Sequence, residues 1–216
     1  MVISDRVRLL FVHVQKTGGS TIHNRLSEVL PDARQVKGLE RHSQLAQILR
    51  AEPELSSYWT FGVVRNPWSR MLSWYNMVDR FRGDEDSKSK LDRKNGFIRS
   101  VAEACPDFES FVMVGLDEFK RLQIPQVRYL TTKHRRADFI GRQETLEADL
   151  RAVQAKFEIE WTPLQSVNID RSRPDYKSGP ELGGRDTRYR EFYTDAMQRR
   201  VEAVFARDVQ AFGYEF

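Results

Sequence analysis

The sequence predicts an α/β protein: a central parallel sheet flanked by helices, in a single domain spanning residues 1–216. Three observations carry that expectation. A β-branched and aromatic run, Val7–Val14, leads into a glycine pair and then a helical stretch. A second such run, Tyr58–Val64, leads through Pro67 into another. A third short run at Asp138–Ile140 precedes a helical pattern over Glu144–Phe157. Repeated strand–loop–helix units favour parallel pairing, because a helical crossover returns the chain to the same edge of the sheet. Ligands of such sheets sit at the carboxyl ends of the strands.

The elements follow in order. Val7–Val14 (VRLLFVHV) reads as a buried strand, bounded by Gly18 and Gly19. A helix over Thr21–Leu30 is stopped by Pro31. A second helix is expected over Ser43–Arg50, with Ser43 as its N-cap. Pro67 sits where prolines open helices, and Trp68–Phe81 continues it. Arg80–Arg99 carries seven basic and four acidic residues and reads as a surface excursion. Short helices are expected at Phe108–Val114 and Asp117–Leu122. Arg171–Arg188, with two prolines and three glycines, reads as a long loop. Over Tyr189–Phe212 the apolar residues Phe192, Met197, Val201, Val204, Phe205 and Phe212 are helically spaced, and most of them are expected in the core.

Composition narrows the function. With 40% apolar and 11% aromatic residues, a chain of this length builds a core without staples. One cysteine, Cys105, excludes an internal disulfide, a four-cysteine zinc site and an iron–sulfur cluster. A net charge of +4 allows anionic ligands without demanding nucleic acid. The opening MVISDRVRLLFVHV lacks the features of a signal peptide, and no apolar run approaches the ~20 residues that span a bilayer. The expectation is a soluble, cytoplasmic protein with no membrane span and no nucleic-acid partner.

Two loops carry the chemistry. In the first, Lys16-Thr17-Gly18-Gly19-Ser20-Thr21 joins a strand to a helix. Glycines let backbone N–H groups close on an anion, and the helix N-terminus adds unpaired donors and the positive end of its dipole. Ser20 and Thr21 offer hydroxyls and Lys16 a full charge. An ordinary turn with a capping serine competes with this reading when the loop is taken alone. The nucleoside-triphosphate P-loop is a different pattern, because there the lysine follows the glycines. In the second loop, Arg65 ends a strand, where its fork suits two-point binding of a phosphate. Pro67 fixes the helix start, and Ser69 and Ser73, four apart, share a face. An arginine paired to a core carboxylate, with surface serines, is the competing reading there.

Together the loops are far more specific. Strand-xKTGGST-helix, followed about fifty residues later by strand-VRNPWSRMLS-helix, closely resembles the sulfotransferases, in particular the branch of bacterial and carbohydrate enzymes that includes heparan sulfate 2-O- and 6-O-type members. Ile140-Gly141-Arg142-Gln143-Glu144-Thr145-Leu146 and the C-terminal stretch from Tyr189 to Tyr214 are similar to family segments as well. The resemblance implies a P-loop-like fold and 3′-phosphoadenosine 5′-phosphosulfate as donor. It implies a 5′-phosphosulfate cradle at Lys16, Thr17, Gly18, Gly19, Ser20 and Thr21, and a 3′-phosphate grip at Arg65 and Ser73. No metal is required, since a sulfuryl group carries less charge than a phosphoryl group. Two cationic, hydroxyl-lined grips suit a donor with two separate anionic groups, one of them a phosphomonoester of about −1.5 to −2 charges.

Transfer to an alcohol needs a base for the hydroxyl proton. Four histidines are available. His13 lies in the first strand and reads as a core or positioning residue. His23 follows the cradle on a helix face the sequence leaves open, and His134 lies in the basic cluster Lys133–Arg136. His42, just before a helix, occupies a place similar to that of the catalytic histidine in several carbohydrate sulfotransferases. It is the expected base, Lys16 the expected partner of the leaving oxygen, and Glu40 the alternative base, because a related branch uses a glutamate. The acceptor is a small molecule or, by resemblance, a carbohydrate. Trp68, Trp74 and Tyr75 are candidates for stacking on sugar rings, although helical spacing makes them more often core. Two other readings stay open: a non-catalytic module binding a nucleotide or anionic glycan, and, with less support, a P-loop-like kinase.

Overall fold

Strand β1 (Val2–Ser4) pairs antiparallel with β2 (Leu9–Val12), and β2 pairs in parallel with β3 (Trp59–Val64), which pairs in parallel with β4 (Phe139–Arg142). The order in the sheet is β1-β2-β3-β4. The register sets Phe11 opposite Phe61 and Val12 opposite Gly62, and Gly62 in turn opposite Ile140. The computed structural model describes residues 1–83, 96–164 and 188–216. Most of the Arg80–Arg99 excursion and nearly all of the Arg171–Arg188 loop therefore lie outside the described residues.

The sheet is the expected α/β core with one departure, the antiparallel edge strand. Alternation explains its two buried faces. Leu9, Phe11, Phe61 and Val63 meet Ile22, Leu26 and Leu30 from one helical segment and Leu146, Leu150 and Val153 from another. Those segments are the helices Gly19–Val29 and Leu146–Lys156, and each presents the i, i+4 spacing that makes one apolar stripe. On β3, Leu130 of the helix Gln126–Leu130 packs against Gly62, and the helix Leu45–Ala51 packs against that helix.

The chain divides into two compact units: Met1–Arg65 with Gln126–Arg185, which holds the sheet, and Asn66–Pro125 with Asp186–Phe216. The second unit is helical among the described residues. Its longest helix is Pro67–Gly83, whose Trp68 and Trp74 are both 2% exposed and serve as core. Tyr75, Phe108, Phe111 and Tyr193 form a set of stacked, tilted and edge-on ring contacts in the same unit.

Several expected boundaries are corrected. Ser43 is buried and not a cap; the helix begins at Leu45, with Gln44 and Gln47 forming a reciprocal capping box. The stretch expected as two short helices is Phe108–Ser110, a π-helical turn at Phe111–Gly115, and Leu116–Glu118. The expected C-terminal helix is three pieces: a 3₁₀ turn at Arg188–Phe192, then Asp195–Val204 and Ala206–Phe212. Thr194 restarts it by accepting the Met197 N–H at 3.3 Å, so Phe192 falls outside the helical phase and is 48% exposed instead of core.

Candidate active site

The first loop leaves β2 as one tightly wound turn. Thr17 is 1% exposed and its hydroxyl donates to the Val14 carbonyl at 3.0 Å, which closes the turn on itself. Lys16 adopts a left-handed conformation (φ 68°), which costs an L-residue ~1–2 kcal/mol, so packing holds it there. Gly18 (φ 78°) ends the turn, and its carbonyl accepts the Thr21 and Ile22 N–H groups at 3.0 and 3.4 Å. The helix Gly19–Val29 then begins with no side-chain cap and no acidic residue in its first turn. A helix start of that kind suits an anion, because its leading amides are not taken by a cap.

Both glycines are demanded by what surrounds them. A Cβ on Gly18 would lie 3.0 Å from Leu146 Cδ2, and one on Gly19 would lie 2.1 Å from His13 Cδ2 and 2.2 Å from its Nε2. The His13 ring thus occupies the space that any other residue at 19 would need. Gln143 and Leu146 border Gly18, so the Ile140–Leu146 segment, which leaves the carboxyl end of β4, abuts the cradle. Its shape is held by Asp149, whose Oδ2 accepts the Arg142 N–H and the Thr145 hydroxyl, each at 2.7 Å.

Three of the four histidines gather here. His13, 2% exposed, accepts at Nδ1 from Arg41 Nε at 3.0 Å, so its own proton is on Nε2. Burial first, then the neighbouring His42 and Arg41, push its pKa far below the ordinary histidine value and keep the ring neutral. His42 Nδ1 lies 3.1 Å from the His13 backbone carbonyl. A carbonyl only accepts, so His42 donates from Nδ1, and in the neutral ring this leaves the lone pair on Nε2, the form of a general base. The His13 and His42 ring centroids are 4.2 Å apart in an edge-on contact. The His23 ring centroid lies 6.5 Å from that of His13, with its pKa pushed down to about 4 by burial and then by Arg41. His134 is exposed, as expected of the basic cluster, and Glu40 is exposed as well.

The second loop starts beside the first. Val12 and Gly62 are partners in the parallel ladder, so β2 and β3 release their loops at the same end of the sheet. Arg65 is held there through its backbone: its N–H donates to Gln126 Oε1 at 2.8 Å and its carbonyl accepts from Gln126 Nε2 at 2.7 Å. Asn66 caps the next helix, its Oδ1 accepting from the Trp68 and Ser69 N–H groups at 3.1 and 3.3 Å. Ser69 is buried on that helix and Ser73 is half-buried one turn on, in the second unit, whereas Arg65 closes the first stretch of the sheet unit.

Sequence reasoning missed Arg41, Gln126 and the contact of His13 with Gly19. Arg41 stood beside His42 without a signal, because its role is a tertiary contact 28 residues away. Gln126, 0% exposed, is a polar residue whose side-chain type does not mark it as core. Among the described residues, no group of three or more His, Cys, Asp or Glu side chains is placed to hold a metal, and no helix is long and apolar enough to cross a membrane. No curated protein and no solved structure matches the chain. The model of the sulfotransferase family, by contrast, matches residues 1–215, which takes in the glycine turn, the Arg65 strand end and the C-terminal helices alike: the chain belongs to the sulfotransferase family.

Proposed function

We propose that the chain transfers a sulfuryl group from 3′-phosphoadenosine 5′-phosphosulfate to a carbohydrate hydroxyl, with His42 as general base. Family membership makes it a sulfuryl transferase; the donor, the acceptor class and the base are the additional content of the proposal. One observation carries it. The carbonyl of His13 holds the proton of His42 on Nδ1, while the side chain of the same His13 lies against Gly19. A lone pair suited to proton abstraction is thereby tied to the turn that suits an anion.

In this reading the leading amides of the helix Gly19–Val29, with Lys16, Thr17, Ser20 and Thr21, receive the 5′-phosphosulfate. Arg65 and Ser73 receive the 3′-phosphate. His42 Nε2 takes the acceptor's hydroxyl proton as that oxygen bonds to sulfur, in line with the bond that breaks. The electron pair of the broken sulfur–oxygen bond stays on the bridging oxygen, where Lys16 balances the charge as adenosine 3′,5′-bisphosphate departs. The acceptor class rests on the motif resemblance, and the aromatic residues Trp68 and Trp74 are core and not a sugar platform.

The test is calorimetric titration with adenosine 3′,5′-bisphosphate, beside ADP and ATP with magnesium, followed by turnover on completely de-O-sulfated heparin. Expected are metal-independent binding of the bisphosphate and, in His42→Ala, turnover lower by ~10²–10⁴ with bisphosphate affinity nearly intact. Normal turnover in His42→Ala would remove it as the base. Magnesium-dependent ATP binding would replace the donor, and bisphosphate binding without transfer to any hydroxyl would leave a binding module.

A further inference from the structure

The base in the proposed reaction is borne by a turn, not by a regular element: Ser43 N–H closes onto the Glu40 carbonyl at 3.0 Å, and the helix starts only at Leu45. Turns of this sort do not by themselves hold an imidazole to the tolerance that proton abstraction needs. Two contacts from one residue supply what the turn lacks. The backbone carbonyl of His13 orients the His42 ring at 3.1 Å, and its side chain accepts from Arg41, the residue next to His42, at 3.0 Å. The opposite edge of the same side chain fills the place of a Cβ on Gly19.

We propose that His13 and Arg41 form a positioning pair that keys the His42 imidazole to the Gly18–Gly19 turn, setting base and donor cradle in register through one buried ring. The inference rests on the sulfotransferase reading of His42 and of the cradle. The chemistry of the pair is specific. A guanidinium can only donate, so His13 must present a bare Nδ1, and a neutral ring is the only form that does so. A second proton on His13 would set an N–H against the Arg41 Nε–H. Burial at 2% exposure disfavours that cation in any case. Of the two terminal nitrogens of Arg41, Nη2 is buried and finds no hydrogen-bond partner among the described residues. The Nε–H bond to His13 thus holds the guanidinium, while the Met1 amino group donates to the Arg41 carbonyl and ties the backbone next to His42.

Three variants test the pair. Arg41→Met keeps the stem and removes the donor. His13→Leu removes the acceptor, and His13→Asn restores one close to the position of Nδ1. With de-O-sulfated heparin as acceptor, Arg41→Met and His13→Leu are expected to lose about ten- to a hundredfold in kcat, the scale of an ångström-level misplacement. Bisphosphate Kd should stay within about threefold, and His13→Asn should recover most of the loss. The ring nitrogens of His42, followed by nitrogen-15 NMR, should report a single Nδ1–H tautomer in the wild type and in His13→Asn, and a mixture in Arg41→Met. Wild-type kcat in Arg41→Met would overturn the proposal, as would equal losses in the two His13 variants. A collapse of bisphosphate binding in Arg41→Met would overturn it too, by placing the arginine in the donor site. The NMR readout stands apart from activity: if the wild type binds no bisphosphate, the sulfotransferase reading of the site fails, while an unchanged His42 tautomer in Arg41→Met sinks the positioning pair alone.

Discussion

The two strand-to-helix turns solve the same geometric problem in opposite ways. After β2 the chain turns on two glycines and a left-handed lysine, and the helix that follows has no side-chain cap. After β3 it turns on asparagine and proline, and Asn66 takes the first amides of the helix for itself. The first turn gives up capping energy and leaves its leading backbone donors uncapped, as the proposed anion site requires. The second keeps its cap, so any anion it binds must be met by side chains, as expected of Arg65 and Ser73. A loop's worth as an anion site thus depends less on being a helix N-terminus than on whether the protein has already spent that terminus on itself.

Four experiments break or sharpen this contrast. Gly19→Ala strikes the first turn hardest, because the new methyl meets the His13 ring near 2.1 Å. Overpacking of this kind costs ~1–3 kcal/mol, and bisphosphate affinity should fall by about tenfold or more as the turn shifts. Intact binding in a folded Gly19→Ala protein would show that the backbone of the first turn is not the cradle. Arg65→Ala should weaken the bisphosphate by roughly ten- to a hundredfold, the worth of a charge-assisted hydrogen bond or two, without loss of thermal stability. Unchanged affinity would leave the second turn without a ligand.

The third experiment is pH. His13 stays neutral in the fold, whereas in the unfolded chain it has the ordinary value of 6.5. As pH falls below that value the unfolded state takes up a proton that the native state refuses. Stability present above pH ~6.5 is then lost by up to about 1.4 kcal/mol per pH unit, and His23 adds to the loss in the same direction. The urea midpoint should drop between pH 7 and pH 5, and His13→Asn should flatten the slope; a slope unchanged by that substitution would locate the titration elsewhere. The smallest effect belongs to Asn66→Ala, which removes a cap worth ~1 kcal/mol and should lower the melting temperature while bisphosphate affinity stays within about threefold. A large affinity loss would mean that the second turn also binds through its backbone.

The sheet and both loops were legible because their signals are local. Val7–Val14 and Tyr58–Val64 are β-branched and aromatic runs with Gly or Pro at their ends, and the structure contains strands within both. The edge strand Val2–Ser4 was not, since three residues cannot display a period. The break before Thr194 escaped for the opposite reason: apolar residues continue in apparent helical phase across a restart that one hydroxyl determines. Within the site, the residue types of the glycine turn could be read from the sequence, whereas His42 was singled out by the family resemblance. The tautomer of His42, the acceptor role of His13 and the existence of a partner in Arg41 are products of contacts between residues 28 and 29 positions apart, which no local pattern encodes.

The Gln126 amide has a further consequence. Its oxygen and its nitrogen meet the N–H and the carbonyl of a single residue, Arg65, as the backbone of a neighbouring strand would. One side chain thereby extends the ladder of β3 past its last residue, Val64. The imitation depends on carrying a donor and an acceptor on one planar group. Glutamate, equal in length and shape, would turn an oxygen toward the Arg65 carbonyl where a hydrogen is needed. The exchange of a single NH₂ for an oxygen is thus enough to loosen Arg65, the residue on which the proposed second grip depends.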